Sequence, residues 1–246
     1  HTRYLGGEAF PLLLKKENGF LPDLASIPRD ILSRAKLLYL NYPNNPTGAQ
    51  ASESFFHDVV AFARDNRIVV VHDAAYGALV YDGRKPLSFL SIPGAKDVGV
   101  EIHSLSKSFN MTGWRLGFVA GNAEAIAAYA CVKDNVDSGE FRAMQKAGAA
   151  VLGKPELTER ARARYSRRFD MLVPALREAG FDAEKSAGTF YCYARAPVAT
   201  ASGTRFSCAA DFSDWLIREK LVSTVPWDEA GPYVRFSVTF ETEGGG

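Results

Sequence analysis

The run Ile68-Val69-Val70-Val71 constrains this chain more than any other segment. All four residues are β-branched, so they favour extended backbone, and none is polar, so neither face suits water. Such a run reads as a strand buried on both sides. Before it, Ser52 to Asn66 sets Phe55, Val59, Val60 and Phe62 at helical spacing, with Ser52 or Ser54 as the cap. Earlier still, Lys36 to Leu40 reads as a strand that ends at the turn cluster Asn-Tyr-Pro-Asn-Asn-Pro-Thr-Gly. Strand, helix, strand in this order predicts an α/β sheet with crossover connections. Val98 to Ile102 and Trp114 to Ala120 extend the pattern as strands, and Ala123 to about Lys133 as a helix. Glu8 to Leu14 is also strand-like.

The character changes near Gly153. Glu156 to Glu178 is a long basic amphipathic helix, with Arg160, Arg162, Arg164, Arg167 and Arg168 read as a solvated face. A strand-like run follows (Gly188 to Arg195), then a polar insertion (Ala199 to Arg205), a helix (Asp211 to Lys220) and a strand (Tyr233 to Phe240). We therefore expect a large α/β domain over residues 1–152 and a smaller α+β domain over 153–246, with Gly244 to Gly246 carrying no fold information. Lys plus Arg number 29 against 28 Asp plus Glu, a formal charge of +1, which offers no footprint for nucleic acid or an anionic membrane. No apolar run reaches the roughly 18 residues of a membrane span. Cys131, Cys192 and Cys208 are scattered without metal-ligand spacing and read as reduced thiols, which points to the cytoplasm.

Four short strings carry the chemistry. They are Asn44-Asn45-Pro46-Thr47-Gly48, then Asp73-Ala74-Ala75-Tyr76, then Ser104-Leu105-Ser106-Lys107 with Arg115 eight residues on, and Val234-Arg235-Phe236-Ser237. Each is expected at or just past the C-terminal end of a strand, where open α/β sheets bind ligands. Taken singly, each has a plainer reading: Asn-Pro with Gly is ordinary turn chemistry, Asp73 can cap a turn, and Lys107 can be a surface lysine. Arg235 resists it, because arginine in an apolar strand is rarely buried unless paired.

In their order, these strings resemble the fold-type I, class I/II aminotransferases, which use pyridoxal 5′-phosphate. The family pattern is N-P-T-G, D-x-A-Y, S-x-S-K, R-x-G and a late R-x-S, and the match runs over essentially the whole chain. The resemblance implies a three-layer large domain with a mainly parallel sheet. Lys107 then matches the lysine that holds the cofactor as an imine and shuttles the proton. Asp73 matches the carboxylate facing the ring nitrogen, and Asn45 and Tyr76 the pair on the ring hydroxyl. Ser104, Ser106 and Arg115 match phosphate ligands, and Arg235 matches the clamp on the substrate carboxylate. It also implies a cis Asn45–Pro46 peptide, small amino-acid and 2-oxo-acid substrates, and a homodimer in the full-length protein.

The family's glycine-rich phosphate loop, its ring-stacking aromatic residue and its C-terminal helix have no counterpart here, so we expect a fragment of a longer chain. Asn135-Val136-Asp137-Ser138-Gly139 and Ser223 to Asp228 resemble the LL-diaminopimelate aminotransferase group, in which Asn135 matches a substrate-binding asparagine. Aminotransferases of the alanine or aspartate type, a carbon–sulfur lyase, a non-catalytic regulator and an inactive fragment stay open as alternatives. His72 and His103 read as packing groups or partners behind the site, and Trp114, Trp227 and Cys131 as core, with no metal site implied.

Overall fold

In the computed structural model, residues 2–240 are described, so Gly244 to Gly246 and the end of the expected second domain lie outside them. The helices are α1 (Arg29–Arg34), α2 (Glu53–Asn66), α3 (Ala95–Val98), α4 (Leu105–Ser108), α5 (Ala123–Val136), α6 (Arg142–Leu152), α7 (Pro155–Glu178) and α8 (Ala209–Trp215). The strands are β1 (Leu37–Asn41), β2 (Val69–Asp73), β3 (Gly99–Ser104), β4 (Gly117–Gly121), β5 (Tyr191–Arg195), β6 (Val225–Trp227) and β7 (Tyr233–Ser237).

They make two sheets, one in the order β1-β2-β3-β4 and one in the order β5-β7-β6. In the first, β1, β2 and β3 are parallel and β4 is antiparallel. The crossover helix α2 begins as the spacing predicts: Ser52 Oγ accepts from Phe55 N–H, and Arg67 closes the helix in the left-handed region. It buries Phe55, Phe56, Val59, Val60 and Ala63 against Leu38, Leu40 and Val70. The opposite face of the same strands leaves Leu37 51%, Tyr39 63% and Ile102 38% exposed.

The second sheet is antiparallel throughout. Cys192, Ala194, Val234 and Phe236 form its inner row and pack with Ala161, Tyr165, Phe169 and Val173 of α7 and Phe212 of α8. Tyr76, Leu79 and Tyr81, from just after β2, join that same core.

Several expectations change. Glu8 to Leu14 forms no strand, because no strand among the described residues pairs with it and most of its side chains face solvent. The run beginning at Trp114 is not yet a strand: Trp114 ends a 3-10 turn, Arg115 has φ 51°, and the ladder starts at Gly117. The run beginning at Gly188 is broken by Thr189 at φ 69°, so β5 begins only at Tyr191. The strand expected to reach Phe240 ends at Ser237. The basic face of α7 is not uniformly solvated. Arg168 is buried and donates to Val238 O (2.9 Å), while Arg162 donates to Val80 O (2.9 Å), so both guanidiniums satisfy carbonyls the helix would otherwise cover. Trp114 is 45% exposed and Cys131 is exposed, so neither is core. Among the described residues no helix is long and apolar enough to cross a membrane.

Candidate active site

The site gathers at the edge where β1, β2 and β3 end. Parallel pairing sets Asn41 beside Asp73 and Asp73 beside Ile102, so the loops after these strands leave from one line. Arg115, just before antiparallel β4, reaches the same edge, because Gly117 pairs with Ser104.

Each loop is held by its own polar groups. Asn41 Oδ1 accepts from Asn45 N–H (2.8 Å) and Asn41 Nδ2 donates to Asp73 O (2.9 Å), so one side chain ties the first two loops together. Asn44 Oδ1 accepts from the Thr47 hydroxyl (2.7 Å), and the Asn45–Pro46 peptide is cis, as the resemblance implies. Gly48 has φ 73°, and a Cβ there would collide with Ser186 Oγ, so glycine is required on both counts. Asp73 Oδ1 accepts from Ala75 N–H (3.0 Å), which is the plain capping role; Oδ2 has no hydrogen bond among the described residues.

Ser104 Oγ accepts from Ser106 N–H and so caps α4, the single turn that carries Lys107. Lys107 Nζ lies 5.8 Å from the centroid of the Tyr76 ring and 5.7 Å from that of Phe190. No acidic side chain forms a salt bridge with it among the described residues. An amine held against ring faces without a counter-ion keeps its nitrogen available for other chemistry. Thr112 links the remaining groups: its hydroxyl donates to Ser106 O (3.0 Å) and its carbonyl accepts from Arg115 (2.9 Å).

Arg235 arrives from the other sheet. It lies within β7 rather than at a strand end, which corrects the expectation, and it projects from the half-buried row that faces the first sheet's loops. Its guanidinium donates to Asn45 Oδ1 (2.8 Å), stacks 3.9 Å from the centroid of the Tyr191 ring and sits 5.8 Å from that of Trp227. Tyr76 is buried, and its phenol is pushed well above its ordinary range, first by burial and then by the hydrogen bond with Tyr191. Arg235 draws it down and Asp73 raises it, so all three groups feel one another. Asn135 stands apart: it is exposed on α5, its amide donates to Cys131 O within the same helix, and no contact among the described residues joins it to the cluster.

Three aromatic residues complete the wall: Phe190 under Lys107, Tyr191 under Arg235, and half-buried Trp227, which the sequence reading places in the core. The one signal that could have found Tyr191 is period two in β5, since Tyr191, Tyr193 and Arg195 share the face opposite Cys192 and Ala194. Among the described residues no group of three or more His, Cys, Asp or Glu could hold a metal ion.

Comparison with known proteins identifies the family and the fold. The family model described as aminotransferase class I and II matches residues 2–243. An LL-diaminopimelate aminotransferase from Methanocaldococcus jannaschii is 60% identical over 98% of this chain, and one from Syntrophobacter fumaroxidans 45% identical over 98%. The chain spans 57% and 62% of the length of those two relatives. Among solved structures, apo-BacF from Bacillus subtilis superimposes with a TM-score of 0.90 at 39% identity, covering 97% of this chain and 61% of that one. A probable N-succinyldiaminopimelate aminotransferase from Thermus thermophilus gives 0.86 at 31% identity, covering 97% and 63%. Sheet order, loop convergence, the family match and these likenesses agree, and the chain belongs to the class I and II aminotransferases.

Proposed function

We propose that this chain carries the amine-transfer site of a pyridoxal-phosphate aminotransferase that moves an amino group between an amino acid and a 2-oxo acid. The observation that carries this reading is the Arg235–Asn45 hydrogen bond (2.8 Å, across 190 positions), which brings a guanidinium from the second sheet to the loops of the first.

The donor set fits the cofactor. Asp73 keeps one carboxylate oxygen unengaged among the described residues, Asn45 and Tyr76 offer polar groups for a ring oxygen, and Ser104, Ser106 and Arg115 offer donors for a phosphate. When bound, pyridoxal phosphate supplies an aldehyde for the substrate amine and a protonated ring that withdraws electrons from the substrate Cα. The chain does the rest. Asp73, as a carboxylate, favours the protonated state of a ring nitrogen facing it. Lys107, one helical turn past the Ser104 cap, takes and returns the proton at the substrate Cα. Arg235, braced by Asn45 and Tyr191, grips the substrate carboxylate with two parallel N–H bonds and so fixes which Cα bond faces Lys107.

The curated relatives are LL-diaminopimelate aminotransferases, which supports LL-diaminopimelate as a substrate here; 2-oxoglutarate as its partner and a role in lysine biosynthesis follow from the same resemblance. Asn135 enters this proposal through the resemblance alone, as a substrate contact. We further infer a division near Gly153 into a cofactor unit and a smaller unit, since each sheet has its own core, with Tyr76, Leu79 and Tyr81 of the first unit docked onto the second. A homodimer and a cytoplasmic location belong to the same reading, the latter because the three cysteines are free. The test is direct: full-length protein, pyridoxal phosphate, LL-diaminopimelate and 2-oxoglutarate, with glutamate formation followed. Glutamate production that requires Lys107 is the expected result; a cofactor-loaded protein that transfers no amine to any 2-oxo acid would refute the proposal.

A further inference from the structure

Behind the strand edge that carries the candidate site lies a buried carboxylate. Glu101, in β3, is 1% exposed and accepts four hydrogen bonds. Oε1 takes the Ser88 hydroxyl (2.8 Å) and His103 Nε2 (2.7 Å); Oε2 takes Phe89 N–H (2.7 Å) and His72 Nδ1 (3.0 Å). A buried carboxylate without partners is strongly disfavoured, and four donors match its acceptor capacity.

The positions of those donors matter more than their number. His72 is the residue before Asp73 on β2, and His103 the residue before Ser104 on β3. Side chains alternate along a strand, so a ring anchored on one face sets the direction of the next side chain on the other. His72 and Glu101 are register partners across β2 and β3. His72 is wedged against the rings of Phe56 (5.0 Å) and Phe89 (6.1 Å), and His103 stacks on Phe118 at 4.7 Å and 16°. An apolar cluster of the same volume would fill this space, but it would not dictate direction; hydrogen bonds from two strands to one carboxylate do.

We propose that Glu101 is a positioning residue for this site: it fastens the ends of β2 and β3 to each other and to the Ser88–Phe89 turn, and so aims Asp73 and the Ser104-capped turn bearing Lys107. The inference rests on reading that edge as the aminotransferase cofactor site.

Glu101→Leu and Glu101→Gln in the full-length protein test it. Leu fills the space and removes every directed contact. Gln restores them, its oxygen taking Phe89 N–H and His72 while its amide faces Ser88 and the other tautomer of His103. The readouts are pyridoxal-phosphate affinity, the pH midpoint of the cofactor's visible band, and thermal melting of the cofactor-free protein. Glu101→Leu should weaken cofactor binding by roughly ten-fold or more, as loss of a partner behind a ligand does, and displace the band's midpoint. Glu101→Gln should recover affinity to within about three-fold of wild type, a residual of well under 1 kcal/mol. A Leu variant with wild-type affinity and an unmoved band, whatever its melting temperature, would overturn the proposal and leave Glu101 as packing. Should the Leu variant not fold, His103→Ala removes the tether on β3 alone and must show the same loss of affinity; unchanged affinity there overturns the proposal equally. A wild-type protein lacking a cofactor band that depends on Lys107 would sink the aminotransferase reading and this one together, which an inert Leu variant in a working enzyme would not do.

Discussion

The two sheets solve the same problem in opposite ways. The first places its chemistry at strand ends: Asn45 follows β1, Asp73 is the last residue of β2, and Lys107 sits on the helical turn α4 just past β3. The second places Arg235 in the middle of β7, on a face rather than an edge. Loops at a parallel edge can be shaped independently, so one edge collects lysine, carboxylate and hydroxyl from distant parts of the sequence. A cation within a ladder cannot be moved that way. Its position is set by register, and its neighbours Tyr191 and Trp227 are fixed by the pairing of β5 and β6 with β7. The sheets also differ in cover. The inner row of β7 is shut away at Val234 (0% exposed), while Tyr39 on the outer row of β1 is 63% exposed.

Removing the central group of the edge region should have the largest effect. Lys107→Ala is expected to lower amine transfer by about four orders of magnitude, near 5.5 kcal/mol of barrier, because no other residue takes the proton. Single-turnover kinetics would check this, and a variant within ten-fold of wild type would break the contrast by showing that the edge is not where the chemistry lies.

Cover comes next. Phe56→Ala, in a side chain 1% exposed between α2 and the first sheet, should cost about 3–5 kcal/mol of stability. Tyr39→Ser on the other face of that sheet should change it by no more than about 0.5 kcal/mol in the 246-residue chain. Urea unfolding of both variants measures the asymmetry, and equal losses would abolish it.

The mid-strand arginine should respond more gently. Arg235→Lys keeps the charge but loses the planar fork and the stacking on Tyr191. We expect KM for the amino acid to rise about 10–50-fold, roughly 1.4–2.3 kcal/mol, with kcat changing less. A fall in kcat with KM unmoved would assign Arg235 to the chemical step instead of binding.

The smallest effect concerns Glu101. Burial pushes its carboxyl up, but the hydrogen bonds from His103 and His72, the attraction of His72 and the Ser88 hydroxyl outweigh burial and hold it well below the usual carboxylate range. A carboxyl lowered on folding stabilises the protein above its unfolded pKa, about 4.3, and loses that contribution as pH falls towards the folded value. The stability difference between wild type and Glu101→Gln, about 1 kcal/mol, should therefore be constant above roughly pH 5.5 and shrink below about pH 4. A difference that instead disappears on raising the pH would reverse the sign.

Much of this was legible from residues alone, for local reasons. Ser52 caps α2 and the Asn44–Gly48 turn closes on itself, so neither needs a distant partner. Ile68 to Val71 announced a strand because β-branched apolar residues in series have few other uses, but only one of its faces is shut away: Val70 is buried while Val69 and Val71 are half-buried. Arg235 stood out as a charge within an apolar strand, and the structure supplies the pairing its placement called for. Positive φ at Arg115 and Thr189 shortened two expected strands, and the other failures were questions of partnership. Glu8 to Leu14 has strand composition but no strand beside it. Arg162 and Arg168 share a helix with solvated arginines, yet each meets a carbonyl brought from elsewhere in the chain. Cys131 and Trp114 are apolar without an apolar surface to meet.

By itself, then, the sequence determined the main strands and helices, their α/β order and the residue types of the site, because propensity, capping and turn chemistry act over a few neighbouring positions. Only the tertiary structure decided which side chains meet: Arg235 with Asn45 and Tyr191, Lys107 with Tyr76 and Phe190, Glu101 with His72 and His103. Those encounters depend on strand register and on the docking of one sheet against the loops of the other. Both are set by the burial of many residues at once, which no short string records.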